Sequence, residues 1–373
     1  MAAAGPDSPS AADSSAGSAL ADPPPGTPDS AIPYLSTRYY ITHLPERLRE
    51  DFDRLYTAAA AFETSCKLPV RISGADAELL MMVLLYDCPE MFQISRNAEY
   101  QIWTVNGEVT EIEIPYSMPL SLYEKKLEQC EGLIRSIGEE LQGLSDAEKE
   151  RRVYDILAGT VSYETEKEDD STAYGALIRH RAKCDGISLA MKWLMDSFGI
   201  PSLVLSGREA GDPRGHAWNS IMINGKYRDV DVTNDTREEG KLMNLYGAYN
   251  IDRSWIASIY PLTGVIADHF DVPPSGGMEE SFHVLDGSFV PAGTDAADAS
   301  FALFDRAYAG GGLARMQFEA EEDYRSFLES FEENTQNWFQ TNVLGGSVLL
   351  NSLDAFRTVA VQVEFDGQED IKD

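Results

Sequence analysis

Between Pro45 and Thr64 the apolar residues Leu48, Phe52, Leu55 and Tyr56 recur three or four apart, which places them on one face of a helix opened by Pro45. Ala75 to Tyr86 predicts a second helix. Polar and apolar residues then alternate over Tyr100 to Val105 and over Val109 to Ile114, with Asn106-Gly107 between them, a dipeptide that suits the positive φ angles of a tight hairpin. A long helix is predicted from Leu120 to Leu141. Ser145-Asp146-Ala147-Glu148 then has the spacing of a capping box and starts another helix through Leu157. Farther on, Ile187, Met191, Leu194, Met195 and Phe198 keep helical spacing until Gly199-Ile200-Pro201 ends it. Pro201 to Ser206, His216 to Ile223 and Tyr227 to Thr233 predict three strands, the last two joined by a tight turn at Asn224-Gly225. Beyond Ser281 the pattern predicts a strand over Phe282 to Leu285, a helix over Ala299 to Tyr308 and a break at Gly310-Gly311-Gly312. A strand over Leu313 to Phe318, a helix over Glu321 to Glu333 and a final strand over Thr358 to Phe365 follow.

These elements divide the chain. Residues 1–33 are Ala, Ser, Gly, Pro and Asp with almost no large apolar side chain, too little to offset the entropy of ordering, and read as a flexible tether. Residues 34–143 form an N-terminal α+β accessory region, 144–275 a core, and 281–373 a small C-terminal α/β module. The longest apolar run, Leu79 to Tyr86, is far short of the ~18 residues a spanning helix needs, so no integral membrane segment is expected.

Charge narrows the partners. The 373 residues include 62 Asp or Glu against 30 Lys or Arg, a formal charge of −32. A field of that sign repels phosphate backbones, and no basic patch is dense enough to reverse it, so nucleic acid is not an expected partner. The four cysteines, Cys66, Cys88, Cys130 and Cys184, form no CxxC pair and are too scattered for a disulfide scaffold. His43, His180, His269 and His283 show no ligand spacing, and the acidic run Asp229 to Asp235 lacks the glycine turn and closing Glu of a calcium loop. Neither metal nor cofactor is expected.

The chemistry concentrates in Tyr163 to Asp235. Cys184 stands at the start of the predicted helix, where unpaired backbone N–H groups and the positive end of the dipole favour a thiolate, and Arg179, His180, Arg181 and Lys183 just upstream are expected to reinforce it. His216 opens the middle strand. On the returning strand Asp229, Asp231 and Thr233 share one face, so one of the two carboxylates can lie beside the His216 ring. Thiol, imidazole and acid make a nucleophile, a base and an orienting group. The Cys184 N–H is the natural oxyanion donor, Tyr174 is the candidate for a second, and Trp218 is placed to shield the pair from water. Singly, each residue reads as structural: a buried cysteine, a strand-edge histidine, a turn-capping aspartate. Their joint spacing is what calls for chemistry.

Ala173-Tyr174-Gly175-Ala176-Leu177, Cys184-x-Gly186, Phe198-Gly199-Ile200-Pro201, Gly207, His216-Ala217-Trp218-Asn219, Asn224-Gly225-Lys226-Tyr227 and Val230-Asp231-Val232-Thr233 together resemble the bacterial transglutaminase-like superfamily. The resemblance implies a papain-like α+β core, with a cysteine-bearing helix packed on an antiparallel sheet. It implies Cys184 as nucleophile, His216 as base and Asp231 rather than Asp229 as orienting acid, with Tyr174, Trp218 and Asn219 around them. Ile187 and Asn234 stand where the family often has aromatic residues, which alters the pocket walls. The implied activity is acyl transfer from peptide or protein amides through an acyl-enzyme, hydrolysis first. Glutamine–lysine cross-linking and a catalytically silent surface-binding module are the alternatives. The Pro/Ala/Ser tether and the family lead to the expectation of a secreted or envelope-anchored bacterial protein, tethered through its N-terminus, with the cytoplasm as alternative.

Overall fold

The computed structural model describes residues 32–212, 214–236 and 244–366, so the expected tether lies, but for Ile32 and Pro33, outside the described residues. At the centre is a three-stranded antiparallel sheet whose middle strand, Gly215–Ile223, pairs with Ser202–Arg208 on one side and Lys226–Val230 on the other. Asn224 and Gly225, with φ of 51° and 76°, make the predicted tight turn. The helix Cys184–Ser197 packs on this sheet. Alternation along the strands divides their side chains between two cores. Val204, Ala217, Ile221 and Val230 join the cysteine helix and the helices Leu120–Glu140 and Asp146–Thr160 in one cluster. Leu203, Leu205 and Trp218 join Leu48, Phe52, Leu80 and Leu84 of the N-terminal region in the other. The architecture is α+β, with a cysteine helix against an antiparallel sheet.

The N-terminal region places the helices Glu46–Ala60 and Gly74–Asp87 beside a sheet in which Glu108–Glu113 lies between Ser65–Ile72 and Ile102–Val105. Capping boxes close the starts of two helices, Ser73 with Asp76 and Ser145 with Glu148. The strand Ser65–Ile72 escapes the sequence pattern because Pro69 interrupts it; its register with Glu108–Glu113 shifts between Lys67 and Ile72, where a residue without an N–H can be accommodated. The C-terminal module has a four-stranded sheet ordered Gly346–Leu353, Thr358–Phe365, Leu313–Phe318, Phe289–Val290, and its apolar cluster draws only on residues 290–365. Phe282–Leu285, expected as a strand, is a single helical turn capped by Ser281, whose hydroxyl accepts the Val284 N–H at 3.4 Å.

One stretch ties this module to the core. Gln317 donates to the Gly247 carbonyl at 2.8 Å, Arg315 to that of Asn244 at 2.6 Å, and His283 Nε2 to that of Leu245 at 2.8 Å. A carbonyl only accepts, so Nε2 carries the His283 proton, and burial holds that imidazole down to about 4 and therefore neutral. A few residues on, the Ala248 carbonyl accepts the Asp231 N–H at 2.9 Å.

Candidate active site

Lys183, in extended conformation, caps the helix that begins at Cys184, and its N–H donates to the Asp170 carbonyl at 2.8 Å. The turn Glu168–Ser171 thus presses on the first turn of the helix. A Cβ on Gly186 would lie 2.6 Å from the Asp170 oxygen and 2.8 Å from that of Thr172, so the glycine two residues after the cysteine permits this approach. Cys184 itself is buried. The basic residues upstream do not form a free positive patch. Arg179 lies 3.4 Å from Asp170, Arg181 2.9 Å from Glu164 and Lys183 3.6 Å from Asp185, so carboxylates offset the field expected at the sulfur.

His216 lies opposite Gly207 on the middle strand. Its Nε2 meets Asp231 Oδ2 at 2.7 Å, and Cys184 lies near enough to the same ring to favour its charged form, with Nδ1 the nitrogen left to face the sulfur. Burial opposes the imidazolium, but the Asp231 charge and hydrogen bond, with the contact to Cys184, more than offset it and raise His216 to about 10. The structure therefore brings Cys184, His216 and Asp231 together. The predicted strand Tyr227 to Thr233 is shorter than expected, ending at Val230, because Asp231 Oδ1 accepts the Thr233 N–H at 3.0 Å and bends the chain into the turn Val232–Asp235. Asn234, in place of the family's aromatic residue, donates to Asp231 Oδ2 at 2.6 Å.

Asp229 faces elsewhere. It accepts Trp218 Nε1 at 3.0 Å and Ser220 Oγ at 2.8 Å, and Arg253 clamps both its oxygens at 3.0 Å. Held this way, the buried Trp218 ring lies 6.2 Å from His216 and 18° from parallel. Asn219 donates to the carbonyls of Ser188 and Leu203, at 2.9 and 3.3 Å, and so ties the cysteine helix to the sheet. Tyr174 is not brought to the sulfur: its hydroxyl donates to Gln129 Oε1 at 3.3 Å and Lys126 sits 4.4 Å over its ring. Among the described residues no group of three or more His, Cys, Asp or Glu is arranged to hold a metal ion, and no helix is long and apolar enough to cross a membrane.

Two tyrosines at the site lay outside the sequence reading. Ser162–Tyr163 pairs in parallel with Arg181–Ala182, which sets Tyr163 opposite Ala182, two residues from the cysteine. It neighbours Cys184; burial, then Cys184 and Asp185, push the phenol up to about 12. Tyr260 lies 4.4 Å from the His216 ring, tilted 33° to it. Its backbone carbonyl would meet a Cβ on Gly207 at 2.5 Å, so Gly207 lets this segment close over the histidine strand. Periodicity carries no signal for either, since a two-residue parallel bridge and an irregular segment bring them in.

Residues 135–232 match the transglutaminase-like superfamily, and the chain carries a domain of that superfamily. Members are in general thiol-dependent enzymes, usually cysteine peptidases or acyltransferases. Among solved structures, the chain is similar to a crystal structure described as a TGase, at 14% identity and a TM-score of 0.28 over 62% of this chain and 59% of the other, about three-fifths of that protein's length. It is also similar to a protein from Cytophaga hutchinsonii assigned as a cysteine protease, at 13% identity and a TM-score of 0.26 over 48% of this chain and 71% of the other. No curated protein matches the sequence.

Proposed function

We propose that the protein is a thiol-dependent amide hydrolase acting on peptide or protein substrates. The observation that carries this reading is a single imidazole bound by Asp231 at 2.7 Å on Nε2 while Cys184 lies beside the same ring. In the proposed cycle the Cys184 sulfur, as thiolate beside imidazolium, attacks the amide carbon. The developing oxyanion takes hydrogen bonds from the Cys184 N–H, which has no intrahelical acceptor at the first helical position, and from the Tyr163 hydroxyl. His216 passes its proton to the departing amine, leaving a thioester; it then takes a proton from water as the water attacks, releasing the acid and restoring the thiolate. Asp231 favours the charged ring throughout. Hydrolysis is preferred to amine transfer because Tyr163, beside Cys184, is itself 48% exposed and leaves that side of the site open to water.

The test pairs alkylation with turnover. Iodoacetamide labelling read by mass spectrometry should modify Cys184 rapidly at pH 6, where a free thiol of pKa ~8.5 hardly reacts, and the substitution His216→Ala should remove that reactivity. A glutamine-containing peptide offered with a primary amine should be hydrolysed faster than it is aminated. Slow labelling indifferent to His216 would overturn the thiol chemistry, and faster amination would replace hydrolysis by cross-linking.

A further inference from the structure

Away from Cys184, at the other end of its helix, the protein holds a cavity of about 840 Å³ between the helices Glu46–Ala60 and Leu120–Glu140 and the last turn of the cysteine helix. Thirteen residues at ~1.5 Å rise separate Cys184 from Ser197 on the cavity wall, about 20 Å, so this space is not part of the thiol site. Its volume is that of a small-molecule site. Its walls are aromatic, with Tyr56, Tyr123 and Trp193, and its ionisable lining is three carboxylates, Glu90, Glu131 and Glu139, against the one guanidinium of Arg135.

The floor adds to the imbalance. Glu90, buried at the base of the cavity, meets Arg38 at 2.9 Å and accepts the Tyr56 hydroxyl at 3.3 Å. Behind it Lys192 lies 3.0 Å from Asp87 and 3.1 Å from Asp196, and Arg38 Nε lies 3.6 Å from Asp196. Burial opposes charge on Asp196, while Lys192 and Arg38 beside it favour its carboxylate. The cluster therefore sets three carboxylates, Asp87, Glu90 and Asp196, against two cations. The cysteine helix also directs the negative end of its dipole this way.

We propose that this cavity binds a small organic cation, an alkyl- or arylammonium, with its apolar part between the aromatic walls and its charge toward Glu90, Glu131 and Glu139. A cation there is attracted by the lining carboxylates Glu90, Glu131 and Glu139 and lies among the rings of Tyr56, Tyr123 and Trp193, whose quadrupoles favour positive charge over their faces. A neutral ligand of the same shape gains only the apolar contact. The site is independent of Cys184 chemistry.

Calorimetric titration of the full chain with phenethylammonium and with its uncharged counterpart phenethyl alcohol tests this. The cation should bind about tenfold or more tighter than the alcohol, and the paired substitutions Glu131→Gln and Glu139→Gln should reduce that preference severalfold, since both carboxylates are at the rim and their loss leaves the buried cluster intact. Ala60→Trp, on the cavity wall at an exposed helix end, should abolish binding. Equal affinity for the two compounds, binding undiminished by Ala60→Trp, or no binding of either compound would overturn the proposal.

Discussion

At the first turn of the cysteine helix one pair, His216 and Asp231, lies beside the thiol with the imidazole 13% exposed. Along its last turns Lys192 and Asp196 join Arg38, Asp87 and Glu90, with Lys192, Asp196, Arg38 and Asp87 fully buried. Both ends put charge in a poor dielectric. In the proposed cycle the imidazole trades a proton with substrate and with water. The sealed cluster joins the N-terminal region to the helix, and its only opening is Glu90 at the cavity. Burial of charge is therefore not in itself a sign of catalysis; both ends have one partly open member, and what sets the His216 end apart is the thiol beside it.

The sharpest way to break this comparison is at the thiol. Cys184→Ala or His216→Ala should lower peptide hydrolysis by about 10⁴-fold while leaving urea unfolding cooperative, and a smaller loss would mean that the pair is not the reacting centre. Next comes Lys192→Met, which leaves Asp87 and Asp196 buried against Arg38 alone and should cost about 3–5 kcal/mol of unfolding free energy without slowing Cys184 alkylation in the folded protein. Loss of both together would mean that the two ends are coupled.

A pH series sharpens the contrast further. His216 is raised from its ordinary 6.5 to about 10, so its contribution to stability is complete below pH 6.5 and falls as the pH rises to 10. The slope should be at most about 1.4 kcal/mol per pH unit across that window. Asp231→Asn should flatten it, which urea titrations at pH 6, 8 and 10 would show. The smallest effect is expected from Tyr163→Phe: a loss of about 10²-fold in kcat with KM unchanged, as for one oxyanion donor whose hydrogen bond is made more strongly to the transition state.

What could be read from the sequence was local. Cys184 at a helix start, His216 on a strand and the two Asn-Gly turns depend on neighbours a few residues away. Alternation left Asp229 and Asp231 equivalent, because it assumes a strand that continues. The chain instead leaves the sheet when the Asp231 carboxylate captures the Thr233 N–H at 3.0 Å, and the two acids part company. Tyr163 and Tyr260 reach the site through pairings between distant segments, and the run Phe282 to Leu285 is too short for period to separate helix from strand. The basic run before Cys184 was legible as charge, but its neutralisation by Glu164, Asp169 and Asp170 is a matter of tertiary contact.

The Asp231 N–H is anchored on Ala248, whose neighbours Asn244, Leu245 and Gly247 are gripped by side chains at 315, 283 and 317. A fragment cut to the family match at 135–232 would hold every reacting atom yet lack the scaffolding that aims the acid. If the proposed cycle is right, a chain ended before Gln317 should lose hydrolysis through a displaced Asp231 while Cys184 and His216 remain, so that the loss of a brace would read as the loss of a mechanism.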